Sequence, residues 1–207
     1  MEREKNIPKQ TSVIVRFTEW FANLSLLNMI WLLFCIPVVT IIPATESLFY
    51  VVNRLYKGKE KHPVQLFLSH FKENGWRNFK QNGYLLVIYA LFLFDFVVIR
   101  NRTDLPDWMY LFTVAITVLF VLVVLLSVYY FSLKNMIELN TGKRWLLSFY
   151  LIFKYILSNL GLSLALALLF ILMFLWPTLG IFFSMSVPVL ISTLVVERNL
   201  SKLHENK

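Results

Sequence analysis

Long apolar runs, separated by clusters of lysine and arginine, constrain this chain more than any single residue does. Gly83 to Ile99, Trp108 to Phe131, Tyr155 to Trp176 and Ile181 to Val196 are apolar almost throughout. A helix needs about 20 such residues to cross the hydrocarbon core of a bilayer, so these runs read as spanning helices. Composition agrees. Of 207 residues 58% are hydrophobic and 15% charged, with a mean hydropathy of +0.65. A soluble domain carries about a quarter charged residues. The length suits a single domain.

The stretch from Trp20 to Tyr56 is ambiguous, because Asn28, Glu46, Asn53 and Arg54 interrupt it. It is either one crossing followed by an amphipathic helix, or two crossings joined near Pro37 to Pro43. Loop charge arbitrates. Four bases precede the stretch, seven lie from Arg54 at its end to Lys80, four lie between Lys134 and Lys154, and three end the chain. Only Arg100 and Arg102 fall elsewhere. With six crossings, 18 of the 20 bases share one side, and bases concentrate on the cytoplasmic side. A re-entrant hairpin gives the same sidedness.

The expected architecture is therefore all-α: a polytopic helical membrane protein with about six membrane segments plus cytoplasmic amphipathic helices. The first two segments are two crossings or a short or re-entrant hairpin. Residues 1–207 form one integral membrane domain. It has a cytoplasmic N-terminal segment (1–19), a basic cytoplasmic amphipathic segment (57–82) and a cytoplasmic tail (197–207). Both termini are placed in the cytoplasm and the protein in the cell membrane. Met1 to Glu19 is too polar for a secretory signal.

Within the basic segment, Val64, Phe67, Leu68, Phe71 and Phe79 fall close to one helical face. Such a helix either lies in the headgroup layer or packs on the protein's own cytoplasmic ends. Thr141 to Lys154 stands in the same relation to the next apolar runs. Gly58-Lys59 and Gly142-Lys143 correspond, as do Asn82-Gly83 and Asn159-Leu160-Gly161, which hints at an internal repeat.

The net charge of +8 would suit nucleic acid, but the bases sit at the ends of apolar runs, so the lipid bilayer is the expected partner. Cys35 stands alone, which excludes a disulfide framework within the chain. The sequence holds no paired carboxylates, phosphate-cradling glycine loop or metal-spaced cluster, and no cofactor is expected. His62, His70 and His204 read as solvated.

Four intramembrane polar residues remain as candidates: Asn28, Glu46, Asn53 and Asp95. An ionisable group inside a membrane is costly and suggests function. For Asp95 the structural reading is a pair with Arg100 at the membrane edge. For Glu46 it is an acid at a helix start, capped by Thr40 or Thr45; the functional reading is a polar site at a helix break. Asn28 and Asn53 offer amides for interhelical hydrogen bonds. Pro177, Gly180 and Pro188 read as a tight turn followed by a kink.

Leu27-Asn28-Met29-Ile30-Trp31-Leu32-Leu33, Pro37-Val38-Val39-Thr40, Pro43-Ala44-Thr45 and Phe49-Tyr50-Val51-Val52 resemble the start of the YesL family. So do Phe71-Lys72-Glu73-Asn74 and Phe79-Lys80-Gln81. The resemblance runs from about residue 17 to 100. It implies a bacterial multi-pass membrane protein and, because such genes often stand beside carbohydrate ABC transporters, a role around sugar uptake. It supplies no catalytic residue. Two expectations follow: a non-enzymatic accessory or regulatory partner of a carbohydrate transporter or other membrane protein, or a small transporter in its own right.

Overall fold

The computed structural model describes residues 9–59, 62–100 and 107–205. These form nine α-helices and one 3-10 turn, with no strand among the described residues. The helices are α1 (Lys9–Phe34), α2 (Ile41–Tyr56), α3 (Pro63–Asn82), α4 (Tyr84–Arg100) and α5 (Asp107–Lys134). They continue with α6 (Thr141–Lys154), α7 (Ile156–Leu175), α8 (Pro177–Phe183) and α9 (Ser186–Glu205). Of the expected N-terminal segment and tail, residues 9–19 and 197–205 are described, and they form the outer turns of α1 and α9.

Local chemistry sets most of the boundaries. Pro63 and Pro177 each stand at the first position of a helix, where a missing N–H costs nothing. Gly58 ends α2 at φ +64°, with its own N–H on the Leu55 carbonyl and that of Lys59 on the Arg54 carbonyl, which satisfies the last turn. A bend of 60° separates α3 from α4 at Gly83. A Cβ there would sit 2.6 Å from the Phe79 carbonyl oxygen, so the close approach needs glycine. α8 and α9 also meet at 60°, around Ser184 and Met185. The kink expected at Pro188 lies just ahead of it, because Pro188 falls in the first turn of α9, where it disturbs no hydrogen bond.

Three helices are long and apolar enough to cross a membrane, over 17–34, 111–134 and 156–175, and up to five spans result if each bent pair counts as one. The expected class stands, and α2 is the segment that drops out of the expected six. Twelve of its sixteen residues are buried. Protein surrounds it, not lipid: its neighbours are α3, α9, α1 and α5. Its side-chain contacts on α5 fall on Phe131, Lys134 and Asn135, the last turn and just beyond. At about 24 Å it is also shorter than the hydrocarbon core.

The packed interior has two parts. One gathers Leu27, Leu48, Phe49, Val51, Phe67 and Phe131 around α2. The other joins α5, α6, α7 and α9 through Tyr129, Leu133, Leu151, Leu162 and Val196. The aromatic face of α3 belongs to the first: Phe67 is fully buried, and Phe34 meets Phe67 and Phe71 edge-on. Of the two locations open to that face, the structure shows packing on α1 and α2. The expected repeat unit, a basic helix followed by two apolar runs, corresponds in order to α3–α4–α5 and to α6–α7 with α8 and α9.

Candidate functional site

Glu46 lies in the second turn of α2 and is only 1% exposed. A lone carboxylate there would carry a desolvation cost of several kcal/mol. The fold answers it from two sides. Lys134, the last residue of α5, pairs through its ammonium with Oε1. Asn82, the last residue of α3, donates to Oε2 at 3.1 Å. The Lys134 ammonium also donates to Asn78 Oδ1 at 3.1 Å. Asn78 and Asn82 are one helical turn apart, so both amides face the pair.

The pair fixes both amides. Asn82 must turn its NH₂ to the carboxylate and Asn78 its oxygen to the ammonium. Asn82 Oδ1 and Asn78 Nδ2 are then left buried without a protein partner. The helix-start reading of Glu46 fails. The helix begins five residues earlier, and the Thr40 hydroxyl turns back to the carbonyls of Phe34 and Pro37. Thr45 accepts from Trp31 Nε1 at 3.1 Å.

His70 is drawn into the same junction and is not solvated. Its Nδ1 is 3.0 Å from Ser47 Oγ, and its ring stacks on Tyr50 at 4.2 Å. Burial first, and the Lys134 charge second, push its pKa down to about 4, so the ring is neutral at pH 7. Ser47 is fully buried and donates its proton to the Pro43 carbonyl at 2.9 Å. The hydroxyl therefore accepts from His70, and the two make a structural contact rather than an activated nucleophile.

The other candidates go elsewhere. Asn28 is fully buried and binds the α8–α9 joint. Its Oδ1 accepts from the N–H groups of Met185 and Ser186 at 2.8 and 3.0 Å. Its Nδ2 donates to the Ile181 carbonyl and Ser184 Oγ. Asn53 donates to the Asn135 carbonyl at 3.4 Å. Asp95 is half-buried on α4, and the side chain of its expected partner Arg100 lies outside the described residues. The four residues do not form one site: Glu46 and Asn53 share the α2–α5 contact, and Asn28 and Asp95 stand apart.

Sequence reasoning missed two buried groups. Tyr129 on α5 donates to Asn159 Oδ1 and accepts from Asn199 Nδ2, each at 2.6 Å, tying α5, α7 and α9 together. Arg144, counted among the loop bases, is buried, donates to the Leu139 carbonyl at 2.6 Å and lies over the Tyr130 ring. The Asn159 signal was in the sequence as an asparagine inside an apolar run.

A sizeable cavity lies elsewhere again. It is an apolar groove of about 570 Å³ between α4 and α5, lined by Tyr89, Phe92, Phe96, Ile116 and Phe120 among others. Glu46 does not line it.

Residues 24–96 match the family described as "Protein of unknown function, DUF624". That stretch holds Asn28, Glu46, Asn53, Asn78 and Asn82, whereas Lys134 lies beyond it. The chain is 32% identical to the Uncharacterized protein YesL of Bacillus subtilis (strain 168) over 141 residues, 66% of this chain. The match spans 65% of the length of YesL, just under two thirds. It is 28% identical to the Uncharacterized protein YteU of the same organism over 182 residues, 84% of this chain and 78% of YteU. No solved structure matches.

Proposed function

Through residues 24–96 the chain belongs to the DUF624 family, and on that premise we propose that it is a non-enzymatic accessory or regulatory membrane protein. Its partner in this reading is a carbohydrate ABC transporter or another membrane protein of sugar uptake. One observation carries the choice of accessory over transporter. The carboxylate best placed to line a solute path is closed off by Lys134 and Asn82. A group that recognises a solute must leave some of its hydrogen-bonding capacity facing a cavity. The link to sugar rests on the family resemblance alone.

The test is reconstitution. Purified protein in lipid vesicles should take up no labelled sugar above protein-free vesicles. Deleting the gene should lower uptake only in cells that also carry the neighbouring transporter. Uptake by the purified protein alone would replace this reading with the transporter.

The same reading places both termini in the cytoplasm. That sidedness has α1 and α2 together return the chain to the side it entered from, with α2 shielded by protein, and leaves four net crossings in the α3–α4 pair, α5, α7 and the α8–α9 pair. Cysteines at Lys59 and Asn206 in a Cys35→Ser background should resist an impermeant maleimide in intact cells and react after permeabilisation. Ready labelling in intact cells at either position would reverse the topology.

A further inference from the structure

α6 is amphipathic in the inverse sense to α3. The outward residues of α3 are mostly polar, including Gln65, Ser69, Lys72 and Glu73, as expected of a helix facing water. The outward residues of α6 are apolar: Leu146 is 73% exposed, Phe149 49%, Tyr150 50% and Phe153 53%. They follow the spacing i, i+3, i+4, i+7 and form one stripe. The charged Arg144 of the same helix is turned inward and buried. Facing water, four large exposed side chains on one short helix would make an unfavourable apolar patch.

What covers the stripe is indicated by its continuation. α6 runs into α7 with a single residue between them, Tyr155. Ile156, Leu157, Leu160 and Leu164 on α7 are as exposed as the α6 stripe. α7 is one of the three helices apolar and long enough to span, so its exposed side faces acyl chains. The charges fit a lipid surface as well. α6 contains no acid, and Lys143 and Lys154 flank the stripe. The Lys154 ammonium lies 5.4 Å from the Tyr150 ring and 5.7 Å from the Tyr155 ring. Among the described residues neither lysine has a carboxylate partner.

We propose that α6 is an in-plane membrane anchor that docks on anionic phospholipid, its aromatic stripe among the upper acyl chains and Lys143 and Lys154 on headgroup phosphates. The inference needs the protein to be membrane-embedded and is independent of the accessory role, which the vesicle uptake assay tests separately.

Full-length protein in a Cys35→Ser background, reconstituted into phosphatidylcholine nanodiscs with or without phosphatidylglycerol, tests it. Fluorophores at Phe149→Cys and Phe153→Cys should be quenched by brominated lipid and shielded from aqueous iodide. One at Lys72→Cys on α3 should behave in the opposite way. Iodide quenching at Phe149 and Phe153 as strong as at Lys72 would overturn the anchor, since the stripe would then face water. Protection from both quenchers would also overturn it, since protein would then cover the stripe. In native mass spectra of bound lipid, Lys143→Gln with Lys154→Gln should lower the preference for phosphatidylglycerol by about fivefold per lysine. An unchanged preference would remove the phosphate contacts from the proposal.

Discussion

Lys134→Met is expected to be the most damaging single substitution at the α2–α3–α5 junction, lowering stability by about 3–5 kcal/mol. For a chain of this size that corresponds to a fall on the order of 10 °C in melting temperature. The cause is the carboxylate left behind. Glu46 is 1% exposed, and without the ammonium its one remaining polar partner is the Asn82 amide. The reverse change, Glu46→Gln, should cost much less. Glutamine keeps the size and can still accept from Lys134, whose side chain is 22% exposed and retains a route to water. Removing both charges in Glu46→Met with Lys134→Met should recover most of the loss, because an apolar pair of similar volume needs no solvation. The measurement is thermal unfolding in detergent, followed by size-exclusion chromatography. A Lys134→Met protein as stable as the parent would show that the pair contributes nothing. The same variants bear on function: if Glu46 lined a solute path, Glu46→Gln would fold normally and lose uptake, whereas the accessory reading expects uptake unchanged.

The apolar runs were readable in order because hydropathy reports removal from water. It does not report which medium replaces the water. α2 shows the consequence: apolar residues fill most of it, yet protein covers them, and Glu46, Asn53 and Arg54 were the only hints. The partners of Glu46 were hidden for a different reason. Lys134 is 88 residues away and stood in the count of cytoplasmic bases, where a snorkelling lysine and an ion-paired one look alike. His70 read as solvated because its contacts, Ser47 and Tyr50, lie on a different helix. The α6 stripe was present in the spacing of Leu146, Phe149, Tyr150 and Phe153. Which face turns outward was not, since pattern alone would have pointed the apolar face inward. Burial of Arg144 under Leu139 and Tyr130 reverses it.

Asn28→Leu is expected to be the second most damaging change, with a loss of about 2–4 kcal/mol from one side chain, because a single amide closes the α8–α9 joint. The chain bends by 60° there, and the bend exposes the first N–H groups of α9 where no residue of α9 can reach them. Asn28 Oδ1 takes the N–H groups of Met185 and Ser186, and Nδ2 takes the Ile181 carbonyl. Leucine fills the volume and satisfies none of these, so two donors and an acceptor stay buried away from water. Asn28→Asp separates the two halves of the amide. It keeps the acceptor for the α9 N–H groups, where a negative charge is favoured by the helix dipole, and it sets an oxygen against the Ile181 carbonyl. Its loss should therefore fall between the parent and Asn28→Leu. Asn53→Leu serves as the comparison. Asn53 makes one long hydrogen bond of 3.4 Å and leaves its Oδ1 without a partner, so its removal should cost less than about 1 kcal/mol. Melting temperatures of the three variants in one detergent give the order directly. If Asn53→Leu proved as damaging as Asn28→Leu, the loss would come from packing inside the bundle rather than from an uncapped α9.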